Sequence, residues 1–257
     1  MGVADTGGAS FRYADCAFPV RSDIPTAHRW AWSRLSSPGT WWRGEQRVAI
    51  ADEVRAADRC KFCSERRDAL SPAAVEGIHD SGQQSRCLPD AAVDAVHRIT
   101  TDAGRLTRSF VAALAEQGVS DAAYVELVGV VVTVLSIDRF HRGIGAGLEA
   151  LPAPEPGEPS RYRPPGAKPS AAFVPMISGR GAVGAEADLY HGLPSAPNVL
   201  AALSLVPDEV RQLHDLSSAH YLPTREIMRF DTRLRAISRS QIELLAGRVS
   251  ALNECFY

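Results

Sequence analysis

At 257 residues with 45% hydrophobic content, the chain is long enough to bury one large core or two modest ones. Its formal charge of −2, from 28 basic and 30 acidic side chains, offers no electrostatic footprint for nucleic acid or an anionic membrane. Five cysteines, at 16, 60, 63, 87 and 255, follow a start with no charged and then apolar leader pattern. The expectation is a globular protein of a reducing compartment, the cytoplasm, where a Cys-x-x-Cys is catalytic or metal-binding more often than structural.

All four tryptophans fall between Asp23 and Trp42, in HRWAW and TWW. They suit an arm packed against helices, with the lining of an entrance for an apolar substrate as the alternative. Ser36 to Gly39 breaks the helical pattern. Glu45 to Asp58 then reads as a helix with Val48, Ile50, Ala51 and Val54 inward and Arg47, Asp52, Glu53 and Arg55 outward. Cys60-x-x-Cys63 follows at once. Two intervening residues let the thiols close a disulfide across the first turn of a helix, where the dipole and unpaired amides favour a thiolate. Lys61, Arg66 and Arg67 act in the same direction. The pair is either a working dithiol or a vestige of one. A zinc set of Cys60, Cys63, His79 and Cys87 has suitable ligand types but lacks a second closely spaced pair.

Ala91 to Gln117 has a helical pattern interrupted near Gly104, and Gly118 suits the position after a helix end. Ser120 can cap the next helix, Ala122 to Phe140. Its run YVELVGVVVTVLSI is apolar on nearly every side but is short for a membrane span and contains Glu126, so it is expected at the centre of a bundle. His141 reads as a partly exposed helix-end histidine. Gly143, Gly145 and Gly147 follow no strand and make no dinucleotide loop. Leu151 to Lys168 is rich in proline and reads as a connector, with domains expected at 1–150 and 171–257 and a linker at 151–170. Beyond it, helices are expected over Pro194 to Val206, from Pro207 through Leu216, from Pro223 through Phe230, and from Ser238 onward.

The last stretch, Ser240 to Tyr257, aligns without a gap on Glu45 to Cys63 when Gln241 is placed on Gln46. Ala51, Val54, Ala56 and Cys60 then meet Ala246, Val249, Ala251 and Cys255, and Phe62 meets Tyr257. This is read as an internal repeat.

Glu, eleven residues, Cys-x-x-Cys and, after three more residues, His is the redox motif of the alkyl hydroperoxidase D-like proteins, in the carboxymuconolactone decarboxylase-like superfamily. Glu243 and Cys255 stand at that spacing, and the chain resembles a two-repeat, peroxidase-related member over Ser195 to Asn253 and, more loosely, Leu106 to Gly145. The resemblance implies an all-α bundle of two repeats, the second cut short, and thiol-dependent reduction of organic hydroperoxides, an antioxidant activity of peroxiredoxin type. It implies a dithiol reductant such as a lipoyl group or thioredoxin and homo-oligomers; no cofactor or metal is expected, and the charge argues against a nucleic-acid or membrane partner. Carried over residue by residue, Glu243 is the proton-relay carboxylate and Cys255 the resolving thiol. Cys60 and Cys63 are the pair in the first copy, where Val48 and Arg67 occupy the glutamate and histidine positions.

The nucleophile of the second copy would follow Tyr257. Relatives with Cys-x-x-selenocysteine suggest a selenoprotein read as ending at its UGA codon, and the printed chain is then expected to turn over poorly. The competing readings are a degenerate oligomerising scaffold and a lyase of the decarboxylase type.

Overall fold

Residues 10–191, 193, 195–227, 229–231, 233–253 and 255 are described by a computed structural model, and among them ten α-helices and no strand are found. In chain order they are α1 (Asp23–Ser36), α2 (Gly44–Ala57), α3 (Lys61–Asp68), α4 (Asp90–Asp102), α5 (Arg108–Glu116), α6 (Asp121–Gly143), α7 (Asn198–Ala201), α8 (Pro207–His220), α9 (Thr224–Ile227) and α10 (Arg239–Leu252). The fold class is all-α, as the resemblance implied.

The centre is α6. Ser120 starts it by accepting the Ala123 N–H at 3.2 Å. Most of its valine-rich run is buried because α2, α4, α5 and α8 all pack on it, with Val128, Val132 and Leu135 on a partly exposed stripe. Among the described residues no single helix is long and apolar enough to cross a membrane. Gly118, at φ +86°, closes the preceding helix in the left-handed conformation that glycine adopts without strain. The expected break near Gly104 is a short 3-10 turn between α4 and α5.

Two expectations for α2 are corrected. Arg47 and Glu53, placed outward from periodicity, are both buried. The reason is that α2 lies against α1, α4 and α6 together, so it has almost no solvent face. Arg47 is balanced by buried carboxylates, donating to Glu126 of α6 and, at 3.1 Å, to Glu209 of α8. His141 is also buried, because the N-terminal segment folds over the end of α6. Tyr13 Oη lies 2.7 Å from its Nε2, and its Nδ1 donates to the Gly147 carbonyl at 2.6 Å. Trp32 and Trp42 sit in the core, while Trp30 is exposed.

The proline-rich stretch runs along the turn after α1. The amides of Glu155 and Arg161 donate to the carbonyls of Ser36 and Thr40, each at 2.8 Å. Beyond it, α8 packs on α1 and α6, and Val210, Leu216 and Ala219 join the same apolar cluster as the earlier helices. The helix expected over 194–206 is only the four-residue α7, followed by turns, and that expected from Pro223 is described as α9 up to Ile227, with Met228 outside the described residues. Pro194 lies outside the described residues. The aligned copies meet different surroundings: Ala51 and Val54 are buried in α2, whereas α10 buries no residue and Val249 is exposed.

Candidate active site

Cys60 is the residue immediately before α3 and Cys63 lies in its first turn, so the two thiols share the amino end of a helix. Both are buried, at 3% and 4% exposure. Around them converge groups from three other parts of the chain. His79 comes from the irregular segment between α3 and α4, His97 and Asp94 from α4, and Glu53 from α2.

The contacts form two parallel relays. His97 Nε2 donates to Glu53 Oε2 at 2.8 Å, and its Nδ1 faces Cys63 Sγ at 3.1 Å. His79 Nε2 donates to Asp94 Oδ1 at 3.0 Å, and its Nδ1 faces Cys63 Sγ at 3.5 Å and Cys60 Sγ at 3.7 Å. Each carboxylate fixes its imidazole with the other nitrogen toward sulfur. The carboxylates are themselves held, Glu53 by the Gly82 amide at 2.9 Å and Asp94 by Arg66 at 2.8 Å and Arg98 at 2.7 Å. The Asp80 amide donates to Cys60 Sγ at 3.4 Å.

Burial opposes ionisation of the Cys63 thiol, but hydrogen bonds from His79 and His97, the nearby His97 charge and a bond from Cys60 outweigh it and bring it down to about 6. Burial likewise opposes the charged imidazoles. Asp94 and the two sulfurs nevertheless raise His79 to about 10, and Cys63 and Glu53 raise His97 to about 9. The arrangement therefore favours a Cys63 thiolate beside a histidine that can give up a proton, the state a nucleophilic thiol requires near neutral pH.

A cavity of about 490 Å³ opens on Cys63, lined by the apolar Pro72, Ala73, Leu106 and Phe110 and by Arg66, Arg98 and Arg105. A second hollow, of about 380 Å³, reaches both thiols past Lys61, Arg67 and Arg139.

The motif positions of the first copy, Val48 and Arg67, contribute no relay. The carboxylate and imidazole that do lie at Cys63 are Glu53, five residues after Val48, and His97, from another helix. A signal for His97 was present in its place within the apolar stripe of Val93, Val96 and Ile99. Cys87, the fourth ligand of the sequence-based zinc set, lies elsewhere, with its Sγ on the carbonyls of Glu45 and Gln84. The residue completing the cluster with Cys60, Cys63 and His79 is His97.

Glu243 and Cys255 are outside this cluster. Glu243 sits on the exposed α10, accepting from Tyr221 and from Arg239, each at 2.5 Å. Cys255 follows α10 and is exposed. Phe256 and Tyr257 fall outside the described residues. In comparison with known proteins, no family model, no curated protein and no solved structure matches the chain.

Proposed function

We propose that the protein is a thiol peroxidase of the alkyl hydroperoxidase D-like kind, working on organic hydroperoxides in the cytoplasm, with Cys63 as nucleophile and Cys60 as resolving thiol. The observation that carries this reading is the Glu53–His97–Cys63 relay beside a second thiol. It reproduces, from different sequence positions, the glutamate, histidine and cysteine roles that the resemblance implies.

The chemistry balances over two steps. The Cys63 thiolate attacks the peroxide O–O bond and becomes a sulfenic acid. The departing alkoxide takes the proton from the His97 imidazolium, whose charge Glu53 stabilises, and leaves as the alcohol. Cys60 then attacks the sulfenic sulfur, releasing water and closing the Cys60–Cys63 disulfide. A dithiol of the lipoyl or thioredoxin class, supplying two electrons and two protons, restores the pair. The cavity on Cys63, with Pro72, Ala73, Leu106 and Phe110 in its lining, suits an alkyl peroxide better than hydrogen peroxide alone.

The test is turnover of cumene hydroperoxide by the 1–257 chain with a dithiol reductant. Turnover lost in Cys63→Ser, together with a single-turnover sulfenic acid in Cys60→Ser, supports the assignment. Turnover unchanged in Cys63→Ser rejects it.

A further inference from the structure

The four side chains at this centre also satisfy the geometry of a metal site, independently of any peroxidase activity. Cys60 Sγ, Cys63 Sγ and one ring nitrogen each of His79 and His97 all lie within 4.8 Å of one another. In a tetrahedral zinc site with Zn–S of about 2.3 Å and Zn–N of about 2.0–2.1 Å, the S···N edges are about 3.6 Å and the S···S edge about 3.8 Å. The S···N contacts here, 3.1, 3.5 and 3.7 Å, lie close to that edge length. A spread of 4.8 Å leaves room for one ion and not for a cluster.

Three features distinguish this set from a chance meeting of polar groups. First, His79 Nδ1 faces both sulfurs at once, although a ring nitrogen carries at most one proton. A cation between the three atoms meets all of them with lone pairs. Second, both outer ring nitrogens, Nε2 of His79 and of His97, are committed to carboxylates, Asp94 and Glu53. With each Nε2–H held by a carboxylate, the proton a metal would displace is the one on Nδ1, which is the carboxylate–histidine–metal pattern of biological zinc sites. Third, none of residues 69–86 between α3 and α4 is buried, and the apolar anchor of the segment is Leu88 at its far end. Leu70 and Ile78 are almost wholly exposed. The segment is held instead by polar contacts around the thiols: His79 itself, Asp80 accepting the Lys61 amide at 2.9 Å, and the Gly82 amide on Glu53.

We propose that Cys60, Cys63, His79 and His97 bind one Zn²⁺ in a closed tetrahedral S₂N₂ site that fastens the 69–88 segment to α3 and α4. Two thiolates and two neutral imidazoles suit zinc in both ligand softness and geometry. With all four positions taken by protein, the ion is structural in the reduced protein. Zinc and the Cys60–Cys63 disulfide exclude each other. If a hydroperoxide oxidises the zinc-bound pair, two thiolates and two protons with one ROOH give the disulfide, ROH and water, and Zn²⁺ is released.

The experiment takes the full 1–257 chain, reduced and reconstituted with zinc without oxygen, freed of loose metal by gel filtration and assayed for metal by mass spectrometry. One zinc per chain is expected, falling to background in the Cys60→Ser/Cys63→Ser double variant. His79→Ala, at the rim, is expected to lose zinc while its circular dichroism stays that of the wild type. Asp94→Asn, which touches no metal, is expected to weaken binding by about 10–100-fold. Cobalt in place of zinc should give intense visible bands of a tetrahedral site with a thiolate-to-cobalt charge-transfer band.

Folded, reduced wild type holding no more zinc than the double variant overturns the metal site, and does so even if peroxide still closes the Cys60–Cys63 disulfide. One zinc per chain in a protein whose thiols resist hydroperoxide supports the metal site and overturns the peroxidase reading. Zinc released in step with disulfide formation supports both.

Discussion

Replacing Glu53 with glutamine isolates the relay. The side chain keeps its volume in a site of zero exposure, and its remaining carbonyl can still accept from Gly82 or from His97. What is lost is the negative charge 2.8 Å from His97 Nε2. Without it the imidazolium is favoured less, Cys63 being its remaining support, and the positive charge 3.1 Å from Cys63 Sγ is weakened. An opposite charge at such a distance displaces a pKa by about 1–3 units. His79 remains in place, so the Cys63 thiol should rise from about 6 by about 1–2 units. The assay is iodoacetamide alkylation against pH, with Cys63 followed by peptide mass spectrometry and a chelator present to keep the thiols metal-free. Wild type should show an alkylation rate rising through about pH 6 and level above it, with the inflection displaced upward in Glu53→Gln. An inflection unmoved by Glu53→Gln, or a wild-type thiol titrating near the ordinary value of about 8.5, refutes the reasoning.

Arg47→Met leaves Glu126 and Glu209 buried without their cation and should destabilise the fold by about 3–5 kcal/mol, read as a lower midpoint in urea. Gly129→Ala places a methyl group 2.3 Å from Glu209 Oε2, where the carboxylate is held by Arg47. It should cost about 1–3 kcal/mol by the same measurement, and a neutral result would mean that α8 gives way there. Gly247→Ala, on the exposed α10 with open space around the new methyl group, should instead stabilise that helix by up to about 1 kcal/mol. Hydrogen exchange in α10 measures this most directly.

How much of the molecule could be read from its residues depended on how many neighbours each element has. The buried character of α6 followed from its unbroken apolar run, and the ends of α6 and α10 from Ser120 and Ser238, whose side chains cap them. Periodicity failed at α2 because a helix enclosed by three others has no outward face. Arg47 and Glu53 therefore looked like solvent positions while serving as buried charges. The dithiol was visible in Cys60-x-x-Cys63, and His79 was recognised as a nearby ligand type. His97 was not, since it lies 34 residues beyond Cys63 and reaches it only through the packing of α3 on α4. The family spacing pointed to Val48 and Arg67 for the relay. A carboxylate and an imidazole can reach a buried thiol from any element packed on it, and here Glu53 of α2 and His97 of α4 do so. The two aligned segments both form helices but in different surroundings, α2 enclosed and α10 exposed.

The central claim is that Cys60 and Cys63 act as one redox pair. Its most direct measurement is peptide mass spectrometry of the reduced, metal-free chain after one equivalent of cumene hydroperoxide. A Cys60–Cys63 disulfide with one cumyl alcohol released per chain, and Cys16 and Cys87 still reduced, is the predicted result. Cys60 and Cys63 remaining as thiols while the peroxide persists, or oxidation falling first on Cys16 or Cys87, would contradict it.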